Sequence, residues 1–409
     1  MPPVERERTH GRTRGDVLQP GRKAIVGGRA TKAMALQPCI LHAGMPKTGS
    51  TSIQEYLAGP ECDPRYLYVK LGEANGSLPL MTLLMDHPEN HWVHRRRHVT
   101  SHQAQRLRLR YRKLLDRSLT TARQQGKQPI LSGEGCWRLS HRSLLRLRQQ
   151  LADQGFCTHV IVYLRPYLSW LESSFQELVK SGRGSFDPVS IHQSYWQDGA
   201  ADARLKFAYS SRLEVFANVF GADYLTVRLL DPSLLVSGCV VADFCTTFGI
   251  TPPAKVLTRK NDGLSLDALR LLYAYNRYWG KDAIPSLRVT QSIVEKLQFL
   301  PGSKLRFHAS VLDPIADQLA VERDLIRQRY GLDLGESGRH LDGVDSVRSE
   351  ADLLHFSPGS LEWLASTAAC RPIDGSQTDA PQQVALAVDR LGGRFRGLPS
   401  RAARFLGWR

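Results

Sequence analysis

The chain predicts an α/β protein, a three-layer α/β/α fold with a mainly parallel central sheet and helical additions toward the C-terminus. Two stretches and one pattern carry that expectation. Cys39 to Ala43 and Thr158 to Leu164 are apolar or β-branched runs of strand length, and each leads into a segment that starts a helix. Elsewhere strand-like and helix-like segments alternate, as they do where helices cover both faces of a parallel sheet.

Composition sets the bounds. The 409 residues suffice for one large core, or one core plus an appendage, and the 42% apolar content is ordinary for a globular protein. No run approaches the roughly 18–20 apolar residues that span a bilayer. The first thirty residues lack an apolar leader core, which speaks against export by that route. Seven cysteines, at 39, 62, 136, 157, 239, 245 and 370, are scattered and never form C-x-x-C. That usage fits reduced thiols in a cytoplasm and not a zinc or disulfide framework. The net charge of +16 favours a polyanionic partner. It is concentrated in the N-terminal tail, in the run 94–113 and in the last twenty residues, with no nucleic-acid fold signature, so specific nucleic-acid binding is not expected.

In chain order, residues 1–33 are rich in Arg, Gly and Thr and read as a disordered basic tail. Met34 lies just before the first strand and competes with Met1 as the start of translation. The core domain is expected over 34–300. Its first strand ends near Ala43, and a Gly/Pro-punctuated loop leads to a helix with Ile53 and Leu57 at helical spacing. Strand, loop and helix N-terminus form a generic anion cradle, where unpaired N–H groups and the positive end of the helix dipole face the loop. Lys47 adds a full charge, and Thr48, Ser50, Thr51 and Ser52 add hydroxyls. Gly44 and Gly49 have Walker A spacing, but Ser50 stands where that motif needs lysine; the lysine lies two residues before Gly49.

Across about 102–124 a helix is expected, with Arg106, Arg108, Arg110, Arg112 and Lys113 following His94-Arg95-Arg96-Arg97-His98. This run is either a solvated helix face or a basic rim for an acidic acceptor; both can hold. Pro129 to Ser132 reads as a strand that delivers Glu134 to its carboxyl end, where ligands bind in open α/β sheets. Glu134 is a candidate base or a turn-capping acid. His42, inside the first strand, is the competing base or a positioning group. The run 158–164 is a second buried strand closed by Arg165, with Pro166 suited to the first position of the next helix. That helix carries Leu168, Leu171, Phe175 and Leu178 on one side.

Further on, a helix from Ser211 to Phe220 stops at Gly221, a strand covers Tyr224 to Leu230, and a helix with Val240, Val241, Phe244 and Phe248 stops at Gly249. A helix follows over 264–279. Residues 301–380 read as a helical and loop extension, with a helix near 310–330, and 381–409 as a basic tail. Leu391, Phe395, Leu398, Phe405 and Leu406 in that tail could lie on anionic lipid, although Gly392, Gly393 and Pro399 oppose one continuous helix.

The loop Pro46-Lys47-Thr48-Gly49-Ser50-Thr51-Ser52 resembles the 5′-phosphosulfate loop of sulfotransferases that use PAPS (3′-phosphoadenosine 5′-phosphosulfate). Leu41-His42-Ala43-Gly44 and Ser52-Ile53-Gln54 are similar to the bacterial branch of that family. Arg165 and, eight residues later, Ser173 resemble its 3′-phosphate motif, and Gln176 and Lys180 fit the bacterial pattern. The stretches 212–231 and 240–250 also look like that branch, so the resemblance covers about 38–280.

It implies a P-loop-like sulfotransferase fold and transfer of a sulfuryl group from PAPS to an acceptor hydroxyl, of a glycan or polysaccharide first. Lys47 would neutralise the oxygen that leaves sulfur. Pro46 to Ser52 would hold the 5′-phosphate, and Arg165 and Ser173 the 3′-phosphate. Glu134 or His42 would take the acceptor proton, and no metal is required. Arg259-Lys260-Asn261-Asp262-Gly263 departs from the family, because the Gly-Asp-Trp-Lys continuation is missing. Arg259 or Lys260 is a cofactor contact or part of a plain loop before a helix. Two other readings stay open: a small-molecule P-loop kinase, against which Ser50 speaks, and a non-catalytic polyanion-binding protein.

Overall fold

The structure, a computed structural model, describes residues 36–72, 75–182, 186, 209–253, 263–279, 287–335 and 346–392. The N-terminal basic tail, Met34, Arg259, Lys260 and the tail residues beyond 392 lie outside these.

Among the described residues five strands form one parallel sheet in the order β2-β3-β1-β4-β5. They are β1 (Gln37–His42), β2 (Tyr66–Tyr68), β3 (Gln128–Ser132), β4 (Phe156–Leu164) and β5 (Leu225–Leu229). β1 is central, with His42 in register with Ser132 on one side and Ile161 on the other. Alternate side chains of the strands feed two separate cores. Cys39, Leu41, Leu131, Val160, Val162 and Leu164 enter one; Ile40, Ile130, Ile161 and Tyr163 enter the other. Burial on both faces explains why these strands read as continuous apolar runs.

The smaller core lies under α1 (Ser50–Ala58), which supplies Ile53, Tyr56 and Leu57. The larger core takes α2 (Ser77–Leu84), α4 (Ser101–Gln124) and α5 (His141–Asp153), and a short α3 (Trp92–Arg96) is tied to α2 by a 2.7 Å hydrogen bond between His94 Nε2 and Thr82 Oγ1. It continues with α6 (Tyr167–Lys180) and α7 (Tyr209–Phe220). On the opposite face α8 (Val240–Phe248) joins α1, adding Val241, Phe244 and Cys245. The expected helix stops hold: Gly221 has φ 98° and Gly249 has φ 64°, left-handed backbone that glycine adopts without a Cβ clash. Pro166 sits at the cap of α6, one residue earlier than expected, its carbonyl accepting from Trp170 N at 2.8 Å.

β2, α2, α3 and α5 are additional to the sequence-based expectation. β2 is three residues long, and α2 is apolar all round, so neither shows a clear periodicity. The C-terminal part is mostly helical: α9 (Leu266–Trp279), α10 (Leu287–Leu297), α11 (Ala316–Tyr330), α12 (Glu350–Leu353), α13 (Pro358–Ala368) and α14 (Ala380–Leu391). α14 lies along α9 with Val384, Ala387 and Val388 fully buried. Leu391, counted with the basic tail in the sequence, is 1% exposed, and its carbonyl accepts from Lys296 Nζ on α10 at 2.7 Å. Among the described residues no helix is long and apolar enough to cross a membrane.

Candidate functional site

The chain leaves β1 toward β2 and β3 on one side and toward β4 and β5 on the other. Loops at the carboxyl ends of β1, β3 and β4 therefore diverge around a crevice. A cleft of about 1190 Å³ opens there. Pro46, Lys47, Gly49, Ser50, Thr51, Ser52, Glu134, Arg165 and Ser173 all line it, although they come from three separate segments.

The loop from Ala43 to Gly49 is wound tightly over the start of α1. Lys47 (φ 69°) and Gly49 (φ 81°) both have left-handed backbone, which turns successive N–H groups toward a common concavity. A lysine held in that region is uncommon and strained. Several contacts hold it. Thr48 Oγ1 donates to Met45 O at 2.6 Å, Trp170 Nε1 donates to Pro46 O at 3.2 Å, and Arg165 Nη1 donates to Lys47 O at 3.0 Å. Thr48 is fully buried, so its hydroxyl serves the loop and does not face the cleft. A Cβ on Gly44 would stand 2.4 Å from Ser50 Oγ, so a larger residue there would displace the Ser50 hydroxyl.

α6 forms one wall. Its apolar stripe goes into the core, and Ser169, Ser173, Gln176 and Lys180 recur at helical spacing on the cleft side. Arg165, at the end of β4, bonds Ser169 Oγ at 2.8 Å through Nε. One guanidinium thus braces both the lysine-bearing loop and the helix that carries Ser173. Lys47 Nζ reaches Glu177 on the same helix at 3.3 Å, a pair open to solvent and hence weak.

Glu134 stands at the carboxyl end of β3, in the first turn of a 3-10 segment, Glu134–Arg138. Burial raises its pKa above the usual carboxylate value, opposed by the Lys47 charge, the neighbouring Ser50 hydroxyl and Arg138. Ser50 Oγ is buried and has no hydrogen bond of good geometry, yet it is close enough to Glu134 to favour the ionised form. An acid raised toward neutrality beside a lysine suits proton transfer.

His42 is placed apart from these groups. Its ring is fully buried, does not line the cleft, and shares a 2.8 Å hydrogen bond with Ser132 Oγ through Nδ1. Tyr163 and Phe244 meet it edge-on, and burial lowers its pKa to about 4. It is a neutral imidazole beneath the cradle. Gln54 Nε2 reaches the same Ser132 Oγ at 3.2 Å, so His42 and Gln54 together tie β1, α1 and β3 where the loops emerge.

Sequence reading did not anticipate several cleft residues. Arg138 follows Glu134 on the same turn, and Trp92 comes from α3, beside which Arg97 of the expected basic rim also lines the cleft. Lys304 and Arg306 arrive from the C-terminal part: Lys304 Nζ donates to Gly263 O at 2.7 Å, and Arg306 pairs with the buried Glu172 at 3.1 Å. No spacing links these positions to the loop; only the tight run of basic residues at 94–97 was a signal. Leu235, Val240 and Val241 add an apolar wall to the cleft. Seven basic side chains against four acidic ones line the cleft among the described residues, so it favours an anion. Among the described residues no group of three or more His, Cys, Asp or Glu could hold a metal ion.

No protein-family model and no curated protein matches the chain. Among solved structures, a sulfotransferase from Alicyclobacillus acidocaldarius matches over 73% of this chain and 97% of that one, at 12% identity and a TM-score of 0.40.

Proposed function

We propose that the protein is a PAPS-dependent sulfotransferase acting on an acceptor hydroxyl, with a glycan or polysaccharide as the first candidate. The observation that carries the reading is the meeting, on one cleft, of the lysine-bearing loop at α1, Arg165 with Ser173, and Glu134.

The residues suit a nucleotide charged at both ends. The N-terminus of α1, the loop N–H groups and the hydroxyls of Ser50, Thr51 and Ser52 suit the 5′ phosphate. Arg165 and Ser173 offer donors for a 3′-phosphate dianion. The apolar wall at Leu235, Val240 and Val241 suits the face of a base. The donor supplies an activated sulfuryl group: the acceptor oxygen–sulfur bond forms as the sulfur–bridging oxygen bond breaks, and adenosine 3′,5′-bisphosphate leaves. Lys47 supplies the fixed positive charge that would oppose the negative charge growing on that bridging oxygen. Glu134, ionised, accepts the proton of the attacking hydroxyl.

Thermal shift with PAPS, adenosine 3′,5′-bisphosphate and ATP tests the donor site: the first two are expected to raise Tm and ATP with magnesium to do so far less. Labelled PAPS incubated with the protein and a cell extract then reports the acceptor. An ATP-specific shift with no response to the bisphosphate would replace the reading with a kinase.

A further inference from the structure

We infer that Lys180, with Lys47 and Lys304 beside it, forms a subsite for an oxyanion carried by the acceptor. The acceptor is then a molecule already acidic before it reacts, bearing a carboxylate or a sulfate ester. The inference deepens the sulfuryl-transfer reading and rests on it for the reacting hydroxyl; the lysine cluster is a separate observation.

The cluster is built on the last turn of α6. Gln176, Glu177 and Lys180 are neighbours there at helical spacing, and all three line the cleft. Two other segments bring lysines to this turn. Lys47 arrives from the loop before α1, its Nζ 3.3 Å from Glu177 Oε2. Lys304 arrives from beyond α10, and its Nζ donates to Gly263 O at 2.7 Å. Gly263 is in turn pressed against Gln176, with no room for a Cβ beside the side-chain oxygen. Lys47, Gly263 and Lys304 line the same cleft.

The electrostatics agree with that geometry. Lys180 is half-buried, and burial lowers its pKa; Glu177 opposes the fall, while the charges of Lys47 and Lys304 add to it. Two positive charges and one negative one therefore act on a lysine that has given up part of its hydration. The carboxylate among them is itself paired with Lys47. An oxyanion set among the ammoniums would relieve their repulsion and supply the acceptors that water no longer does.

The cluster also borders the reacting centre. Glu134 is the base in the reading above, and its carboxyl feels both Lys47 and Glu177. The attacking hydroxyl thus has the last turn of α6 beside it, and an oxyanion held there belongs to the molecule that presents the hydroxyl. The donor's 3′-phosphate has its own place at Arg165 and Ser173. Ser173 precedes Lys180 by two turns of α6, about 10 Å along the axis.

The test has two arms, both on the full chain. In the first, lysines are methylated with isotope-labelled formaldehyde, which keeps their charge, and the Lys180 signal is identified by its loss in Lys180→Arg. In protein saturated with PAPS, so that the sulfuryl position is filled, acetate and methyl sulfate are titrated at constant ionic strength set by chloride. The Lys180 signal is expected to shift to saturation with at least one oxyanion and not with chloride. Earlier saturation by methyl sulfate assigns a sulfate ester, and by acetate a carboxylate. In the second arm a cell extract is split on an anion exchanger before labelled PAPS and protein are added. Label should enter the retained fraction. Lys180→Gln should need several-fold more of that fraction for half-maximal rate, and Lys180→Arg should restore the wild-type requirement. The Tm rise given by adenosine 3′,5′-bisphosphate should be equal in wild type and Lys180→Gln. Label confined to the unretained fraction, a Lys180 signal indifferent to both oxyanions, or a smaller bisphosphate Tm rise in Lys180→Gln would overturn the subsite, the last by giving the lysine to the donor. A wild-type Tm unmoved by the bisphosphate, with a Lys180 signal that titrates in the absence of PAPS, would keep the oxyanion site and remove the donor reading.

Discussion

Lys47 concentrates the chemistry in one side chain on a strained backbone position. Its φ of 69° is held by Arg165 at its own carbonyl and by bonds on either side of it in the loop, so the ammonium can be removed while the loop stays closed. Lys47→Ala is expected to fold with a near-normal Tm and to lose on the order of 10²–10³ in kcat with PAPS, the scale for removing one transition-state donor. Turnover like the wild type would remove the assigned role. Glu134 gives a second expectation with a definite sign. Its folded pKa lies above the unfolded one because of burial, so the folded state binds more protons and loses stability as pH rises through that range. Glu134→Gln should therefore raise Tm at neutral pH while cutting kcat by roughly 10²–10⁴, measured by calorimetry and by a rate assay. In the wild type kcat/KM should climb with pH through an ionisation above the ordinary carboxylate range. His42 works in the opposite direction. With its pKa lowered to about 4 from 6.5, stability is complete above pH 6.5 and falls progressively toward pH 4, by about 3 kcal/mol in all. Urea titrations at stepped pH should show that fall, and His42→Gln should flatten it.

At the scale of elements, the segment from β1 to α1 is a strand, a glycine-bearing loop and a helix end. Gly44 and Gly249 make a controlled comparison. A Cβ at Gly44 would meet Ser50 Oγ at 2.4 Å, whereas a Cβ at Gly249 would meet nothing within 4 Å and only the φ of 64° is unfavourable. Gly44→Ala is expected to reduce affinity for adenosine 3′,5′-bisphosphate by more than about tenfold, since the Ser50 hydroxyl or the loop must shift. Gly249→Ala should cost about 1–2 kcal/mol of stability, the penalty for a left-handed non-glycine residue, with bisphosphate affinity unchanged. Titration calorimetry and chemical denaturation separate the two. α6 shows the same economy: its apolar stripe could be read from spacing, and that stripe forces Ser173, Gln176 and Lys180 toward the cleft.

The whole molecule depends on its C-terminal helices more than the sequence suggested. α14 falls within a stretch that composition reads as a basic tail, yet Val384, Ala387 and Val388 are fully buried along α9, and Tyr275 on α9 bonds Asp389 at 3.0 Å. Deleting residues 380–409 would expose that seam, and we expect the product to be insoluble or to lose cooperative unfolding. A soluble truncation with an unchanged Tm would show the seam to be dispensable. The cleft also borrows its far wall from this region, through Lys304 and Arg306.

Period and punctuation determined what could be read along the chain: two buried strands, the glycine-bound loop, the α6 stripe and the stops at Gly221 and Gly249 are local consequences of side-chain volume and backbone freedom. β2, α2 and α3 lacked such a signature, because they are short or apolar on every side. What only the tertiary structure decided is proximity. Parallel pairing of β1 with β3 and β4 puts Lys47, Glu134 and Arg165 at the carboxyl end of the sheet, while the pleat turns His42 inward to Ser132. Residues from α3 and from beyond 300 join them because packing of both sheet faces closes the crevice from elements distant in the chain, and no linear pattern encodes a distance of that kind.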